Sequence, residues 1–189
     1  ADPDMLDLQG KAQLARGDLP AAMESYKQLA QALPRSAPAL LQVAALRLLT
    51  NNPTQAEEDF KSVLAIQPDF PSAQLELAAL YVRKGSPDLA LMLADRMQRQ
   101  HPKGAAGFQL QGDILMAKHQ PAAALPAYEH AYGLHVTNEL AIKIDSALRE
   151  AGRVAEAESR LGKWLAAHPD DLRAQAYRAQ TCIGAGDFK

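Results

Sequence analysis

Around the middle of the chain the apolar residues fall three and four apart: Leu77, Leu80 and Tyr81, then, past Gly85, Leu89, Leu93 and Met97. That spacing gathers each set on one side of an α-helix, so the segment predicts two amphipathic helices joined by a short turn. Start signals recur between such pairs. Pro53, Pro87 and Pro121 each follow a polar residue, Asn52, Ser86 and Gln120. This is the order expected of a cap followed by proline in the first turn, where its missing N–H costs nothing. The second helix of each pair ends near a proline, because the residue before proline avoids the helical region.

The pattern has a period. Pro34, Pro68 and Pro102 stand 34 residues apart, and Pro169 follows 67 later, two periods with one residue missing near Val136. Aligned on these prolines, Ala22, Ala56, Ala90, Ala124 and Ala157 share one column. Another column holds Gly10, Ala44, Ala78, Gly112, Asp145 and Ala179, small in all but one case, and a third holds the mostly large Tyr26, Phe60, Ala94, Tyr128 and Leu161. Two helices cross closely only where one side chain is short and the one opposite fills the space, so the columns read as a packing code. A turn column reads Gly17, Asn51, Gly85, His119, Gly152 and Gly186.

Composition supports helix: roughly a fifth of the residues are alanine, and β-branched residues are few. The net charge of -2, with both signs interspersed, gives no basic excess to attract nucleic acid or anionic lipid. Cys182 is the single cysteine and closes no disulfide within the chain. The longest apolar stretch, 37–49, is broken by Gln42 and Arg47 and is too short to span a membrane. The chain opens without a basic, apolar leader, so the expectation is that any targeting segment was removed or lies outside it.

The 34-residue period, the columns and the closing prolines together resemble the tetratricopeptide repeat (TPR) across the whole chain. The resemblance implies an all-α fold, a right-handed α-α superhelical TPR solenoid with five repeats plus one extra helix. Residues 1–189 would form a single array with repeats 3–36, 37–70, 71–104, 105–137, 138–171 and a partial sixth, 172–189. The closing phrase Gly186-Asp187-Phe188 then repeats the turn at Gly17-Asp18-Leu19, which points to a fragment of a longer protein. Asp145 in the small column, Ala94 in the large one and Pro126 inside a second helix depart from the pattern. Pro126 predicts a kink there, and the short fourth repeat with Gly133 predicts an irregular helix end.

No constellation for catalysis emerges, and neither cofactor nor metal is expected. His130 and His135 are five apart, which spreads them around a helix, and no cysteine or carboxylate motif supplements them. His101 and His168 sit at helix C-termini, where the dipole favours them. Cys182 shares a column with Tyr81, Leu115 and Leu148, and Trp164 shares one with Leu29, Val63 and Met97, so both are expected in the core. Arg96, Arg99 and Lys103, with Asp95 among them, read as a solvated helix end.

What remains is a surface. TPR arrays line a concave groove with the first helix of each repeat, and transferring those columns implies Leu41, Ala45, Leu48 and Leu49, then Leu75, Ala79, Val82 and Arg83. They continue with Gln109, Asp113, Met116 and Ala117, and with Glu139, Ile142, Ser146 and Arg149; the first repeat supplies Asp4, Asp7, Lys11 and Leu14. The middle is apolar and the ends are charged, as expected of a site for a protein or peptide segment. The carboxylate clamp of chaperone-tail binders is not matched: its columns hold Asp7, Lys11, Gln42, Ser72 and Glu76.

The phrases 107–134 and 147–175 also resemble bacterial TPR lipoproteins of exosortase (PEP-CTERM) and exopolysaccharide systems. That likeness implies a non-enzymatic scaffold in the bacterial cell envelope or periplasm, serving surface protein sorting or exopolysaccharide export. The alternative readings are a partner-recognition region of a larger enzyme such as a glycosyltransferase, and a homodimer formed through exposed terminal helices.

Overall fold

The structure is a computed structural model that describes residues 2–185. Among the described residues every regular element is an α-helix, so the fold class is all-α. In order they are α1 (Pro3–Ala15), α2 (Leu19–Ala32), α3 (Ala37–Leu49), α4 (Pro53–Ile66), α5 (Pro71–Arg83), α6 (Pro87–Gln100), α7 (Ala106–Ala117), α8 (Pro121–Leu134), α9 (Asn138–Glu150), α10 (Val154–Ala167) and α11 (Leu172–Ala185).

The tight turns sit on the turn column. Gly17, Asn51, Gly85, His119 and Gly152 have φ of 76°, 57°, 72°, 56° and 77°. At each, the next residue's N–H reaches back across the helix end: Asp18 to the Gln13 carbonyl at 2.9 Å, Asn52 to Arg47 at 2.7 Å, and Arg153 to Leu148 at 2.8 Å. This six-to-one bond satisfies a carbonyl the helix leaves open and requires a left-handed residue just after the helix. Glycine adopts that conformation freely, whereas Asn51 and His119 carry a Cβ into it. Gly186 lies outside the described residues.

Two chemistries recur at the helix starts. At α1, α3, α9 and α11 a side chain caps the first turn: Asp2 accepts from the Asp4 N–H at 3.1 Å, Ser36 from Ala39 at 3.3 Å, Thr137 from Leu140 at 3.2 Å and Asp171 from Ala174 at 3.0 Å. α4 and α8 start on Pro53 and Pro121, but Asn52 and Gln120 make no side-chain cap. The Asn52 amide donates instead to the Thr50 carbonyl at 2.9 Å, so the proline's fixed φ sets these starts.

α8 runs from Pro121 to Leu134 with Pro126 inside it. Pro126 and Ala122, whose carbonyl loses its helical donor, are both solvent-exposed, so water can take the donor's place. The expected irregular end of this helix is not found: α8 has 14 residues, as α2, α4 and α10 do. The missing residue comes out of the connector 135–137, which is one shorter than 33–36, 67–70 and 168–171.

The chain divides into two compact units, up to Ala90 and from Leu91 on. In the first, Leu6, Tyr26, Leu29, Val43 and Leu46 form a core between α1, α2 and α3. In the second, Leu125, Tyr128, Leu140, Ile144 and Leu148 join α8 to α9 and Ala157 of α10 closes the cluster. The small-against-large code is literal here. A Cβ added to Gly10 would lie 2.7, 2.8 and 2.9 Å from three ring atoms of Tyr26, and one added to Gly112 would lie 2.5 Å from Cδ1 of Tyr128. Each tyrosine lies flat against backbone that only glycine leaves bare.

The two tyrosines differ at their hydroxyls. Tyr128 donates to Asp113 Oδ1 at 2.7 Å, whereas the buried Tyr26 hydroxyl has no hydrogen-bond partner among the described residues. Asp145, the exception in the small column, is 1% exposed and is accommodated by Arg149 Nε, which donates to it at 2.7 Å, and by the Tyr177 hydroxyl at 2.8 Å. Burial, then the bond to Asp145, pushes the Tyr177 phenol above its ordinary range.

Three stability outcomes follow, each read by denaturant unfolding. Gly112→Ala should destabilise by about 1–3 kcal/mol or more, the usual cost of overpacking. His119→Gly should stabilise by about 0.5–1 kcal/mol, since relief of left-handed strain exceeds the added unfolded-state entropy. Tyr26→Phe should leave stability unchanged or raise it slightly, whereas Tyr128→Phe should cost about 1–2 kcal/mol, because only the second removes a bond to a charged acceptor.

Candidate functional site

In the first unit the expected groove positions lie on sides of α3 and α5 that packing leaves exposed or half-buried. Leu41, Ala45 and Leu48 follow one another at four and three residues along α3, and Leu75, Ala79 and Val82 do the same along α5. None of the six is buried; Leu75 is 39% exposed, and neighbouring Leu49 64%. The core is served by other positions, Val43, Ala44 and Leu46 on α3 and Leu77, Ala78, Leu80 and Tyr81 on α5. Both helices therefore carry two apolar sides, and packing within the unit consumes one. Arg83, at the C-terminal end of α5, is exposed.

The first repeat places charge at its groove positions, Asp4, Asp7 and Lys11. Lys11 donates to Asp7 at 2.6 Å on α1, and that bond holds the lysine ammonium above its ordinary range. A cleft of about 290 Å³ between α1, the end of α2 and α3 is lined by Asp4, Asp7, Lys11, Leu29, Pro38 and Gln42. On the side of α4, Arg47 pairs with Asp59 at 2.9 Å, and Glu57 takes both Lys61 and Lys84. The bonds from Lys61 and Lys84 hold the Glu57 carboxyl below the usual range.

The second unit treats the same positions differently. Gln109 donates to Glu139 at 2.8 Å, and Lys143 donates to both oxygens of Asp113 at 2.6 and 2.7 Å. Lys143 also stands 3.4 Å from Glu139 and 5.9 Å from the Tyr128 ring centroid. Gln109 and Asp113 are thus tied into a network that joins α7, α8 and α9. Burial first, then the Asp113 carboxylate, drives the Tyr128 phenol far above its ordinary range, which keeps it protonated and donating. Met116 packs against the core cluster and Ile142 is half-buried, so the apolar side chains offered here are fewer than on α3 and α5.

Sequence reasoning missed Lys143, although it stands four residues after Glu139, the helical spacing for an ion pair. It also misplaced two residues. Cys182 is half-buried on α11, outside a closed core. Trp164 is half-buried too, its Nε1–H donating to Asp171 Oδ2 at 2.8 Å and its ring stacked on His168 at 3.8 Å. An indole is larger than the Leu29, Val63 and Met97 side chains that fill this column elsewhere, and it reaches past the core to a polar partner. His130 stacks on Phe108 at 4.0 Å. Among the described residues there is no group of three or more side chains placed to hold a metal ion. None of the described helices is long and apolar enough to cross a membrane.

Comparison with known proteins agrees with this architecture. The crystal structure of TTC0263, a TPR protein from Thermus thermophilus, is 21% identical, with 96% of this chain and 100% of that chain covered and a TM-score of 0.73. A TPR protein from Parabacteroides merdae ATCC 43184 gives a TM-score of 0.76 at 16% identity, over 98% of this chain and 74% of that chain. Residues 41 to the end of MamA from Desulfovibrio magneticus RS-1 give 0.71 at 17%, over 89% and 97%. At these identities the likeness shows the fold alone. No curated protein matches the sequence. The tetratricopeptide repeat-like domain matches residues 8–150, and the chain belongs to that family.

Proposed function

We propose that this protein is a non-enzymatic scaffold that captures a protein partner on the uncovered sides of its first helices, chiefly α3 and α5. TPR domains act as protein-binding modules, and the supporting observation is specific to this chain: Leu41, Leu48, Leu75 and Val82 remain at the surface although α3 and α5 have already supplied the core. Apolar side chains ranked along a helix at intervals of four and three suit an amphipathic helix or an extended segment laid across them. A location in the bacterial cell envelope, in surface protein sorting or exopolysaccharide export, is the finer form of this reading. It rests on the likeness of the phrases 107–134 and 147–175 and is open to test by fractionation of the source cells. Association of two copies is supported by Met5 and Leu8 on α1 and Leu172 and Ile183 on α11, which are 61%, 63%, 76% and 65% exposed.

The expected outcome for the double substitution Leu48→Glu with Val82→Glu is loss of partner capture from an extract of the source organism, with helicity by circular dichroism unchanged. Equal capture by the parent and the double variant would remove these faces from consideration.

A further inference from the structure

The second unit carries another feature that the reading above does not use, a crevice of about 320 Å³ between α8, α9 and α10. Tyr132, Ala141, Ile144 and Trp164 line it. Its origin lies in the column of Trp164. The residues there in the earlier helices, Leu29, Val63, Met97 and Ala131, are 5%, 0%, 3% and 0% exposed and belong to the core, whereas Trp164 presents its ring to the crevice.

That ring is held in place. Asp171 accepts its Nε1–H at 2.8 Å, His168 stacks on it at 3.8 Å with planes 20° apart, and Tyr132 meets it edge-on at 6.2 Å. Asp171 is itself anchored, taking the Asn138 amide at 3.2 Å and the Ala174 N–H at 3.0 Å. A second depression, lined by Val136 and Asn138 among others, shares Trp164, Ala167 and His168 with the first. An immobilised aromatic wall loses little side-chain entropy on binding, as a preorganised site requires.

The rim sets the sign of the charge. Arg160 is committed to Glu129 at 2.8 Å and to Glu156 at 3.0 Å, and Glu156 also takes Arg153 at 2.6 Å. Lys163 lines the crevice without an ion-pair or hydrogen-bond partner among the described residues.

We propose that this crevice is a second binding site, for a peptide segment in which an apolar side chain is flanked by a carboxylate. The side chain enters between Tyr132, Ile144 and Trp164, and the carboxylate pairs with Lys163. The volume lies at the lower end of the range for ligand pockets and suits a single large side chain with its neighbouring backbone.

Trp164 is the chain's single tryptophan and stands in the wall, so its emission reports occupancy directly. The probe is a blocked pentapeptide with one phenylalanine between two glutamates, titrated into the intact protein, with calorimetry as the second readout. A saturable change in emission is expected, absent when alanine replaces the phenylalanine. Flanking lysines in place of the glutamates should weaken binding, as should Lys163→Glu, each by about 3- to 10-fold, the scale of one or two exposed ion pairs. Ala141→Glu, which puts a carboxylate into the crevice, should abolish the calorimetric signal in a protein of unchanged helicity. Leu48→Glu with Val82→Glu should leave it intact, which separates this site from the faces on α3 and α5. The proposal is overturned by an emission that does not saturate, by equal binding of the lysine-flanked peptide, or by undiminished binding to both Lys163→Glu and Ala141→Glu. Emission that shifts on dilution of the protein alone would assign the crevice to a second copy and overturn it as well.

Discussion

The close crossing of paired helices is the contact on which the remaining structure depends, and in α1–α2 and α7–α8 it sets a bare backbone on one helix against a ring on the other. Where Gly10 meets Tyr26 and Gly112 meets Tyr128, the ring sits at a distance that even a methyl group would violate. Dispersion and exclusion of water act over the whole face of the ring, and they do so only because the first helix has nothing projecting there. The left-handed turn that follows closes the pair with a single six-to-one hydrogen bond. A short turn and a tight crossing together fix which side of each helix is consumed by packing, and so which side is left over.

The leftover sides differ between the units. In the first, α3 and α5 keep leucine and valine exposed or half-buried. In the second, the same register holds Asp113 and Gln109, which Lys143 and Glu139 neutralise or bond. The contrast extends to the two tyrosines: Tyr128 finds an acceptor in Asp113, and the buried Tyr26 hydroxyl finds none among the described residues.

Much of the fold was legible from sequence because its signals are local or strictly periodic. The turn column anticipated every positive φ among the described residues, and the prolines at 53, 87 and 121 mark the first residues of α4, α6 and α8. What escaped was set by side-chain partners that the column pattern does not record. Asp145 looked like an error in a small column until Tyr177, 32 residues later, supplied a donor. Trp164 looked like one more core residue, and only the placement of Asp171 and His168 shows the ring turned to a crevice. Periodicity likewise located the missing residue near Val136 but could not say that the connector, and not the helix, had shortened.

Partner capture through the leftover side of α3 is tested most directly by a photo-crosslinking amino acid introduced at Leu48 of the intact protein, with Glu58 on the exposed side of α4 as the comparison. Irradiation in the source cells should yield a covalent adduct with one partner from position 48 and none from position 58. Adducts from position 58 with none from position 48 would contradict the assignment.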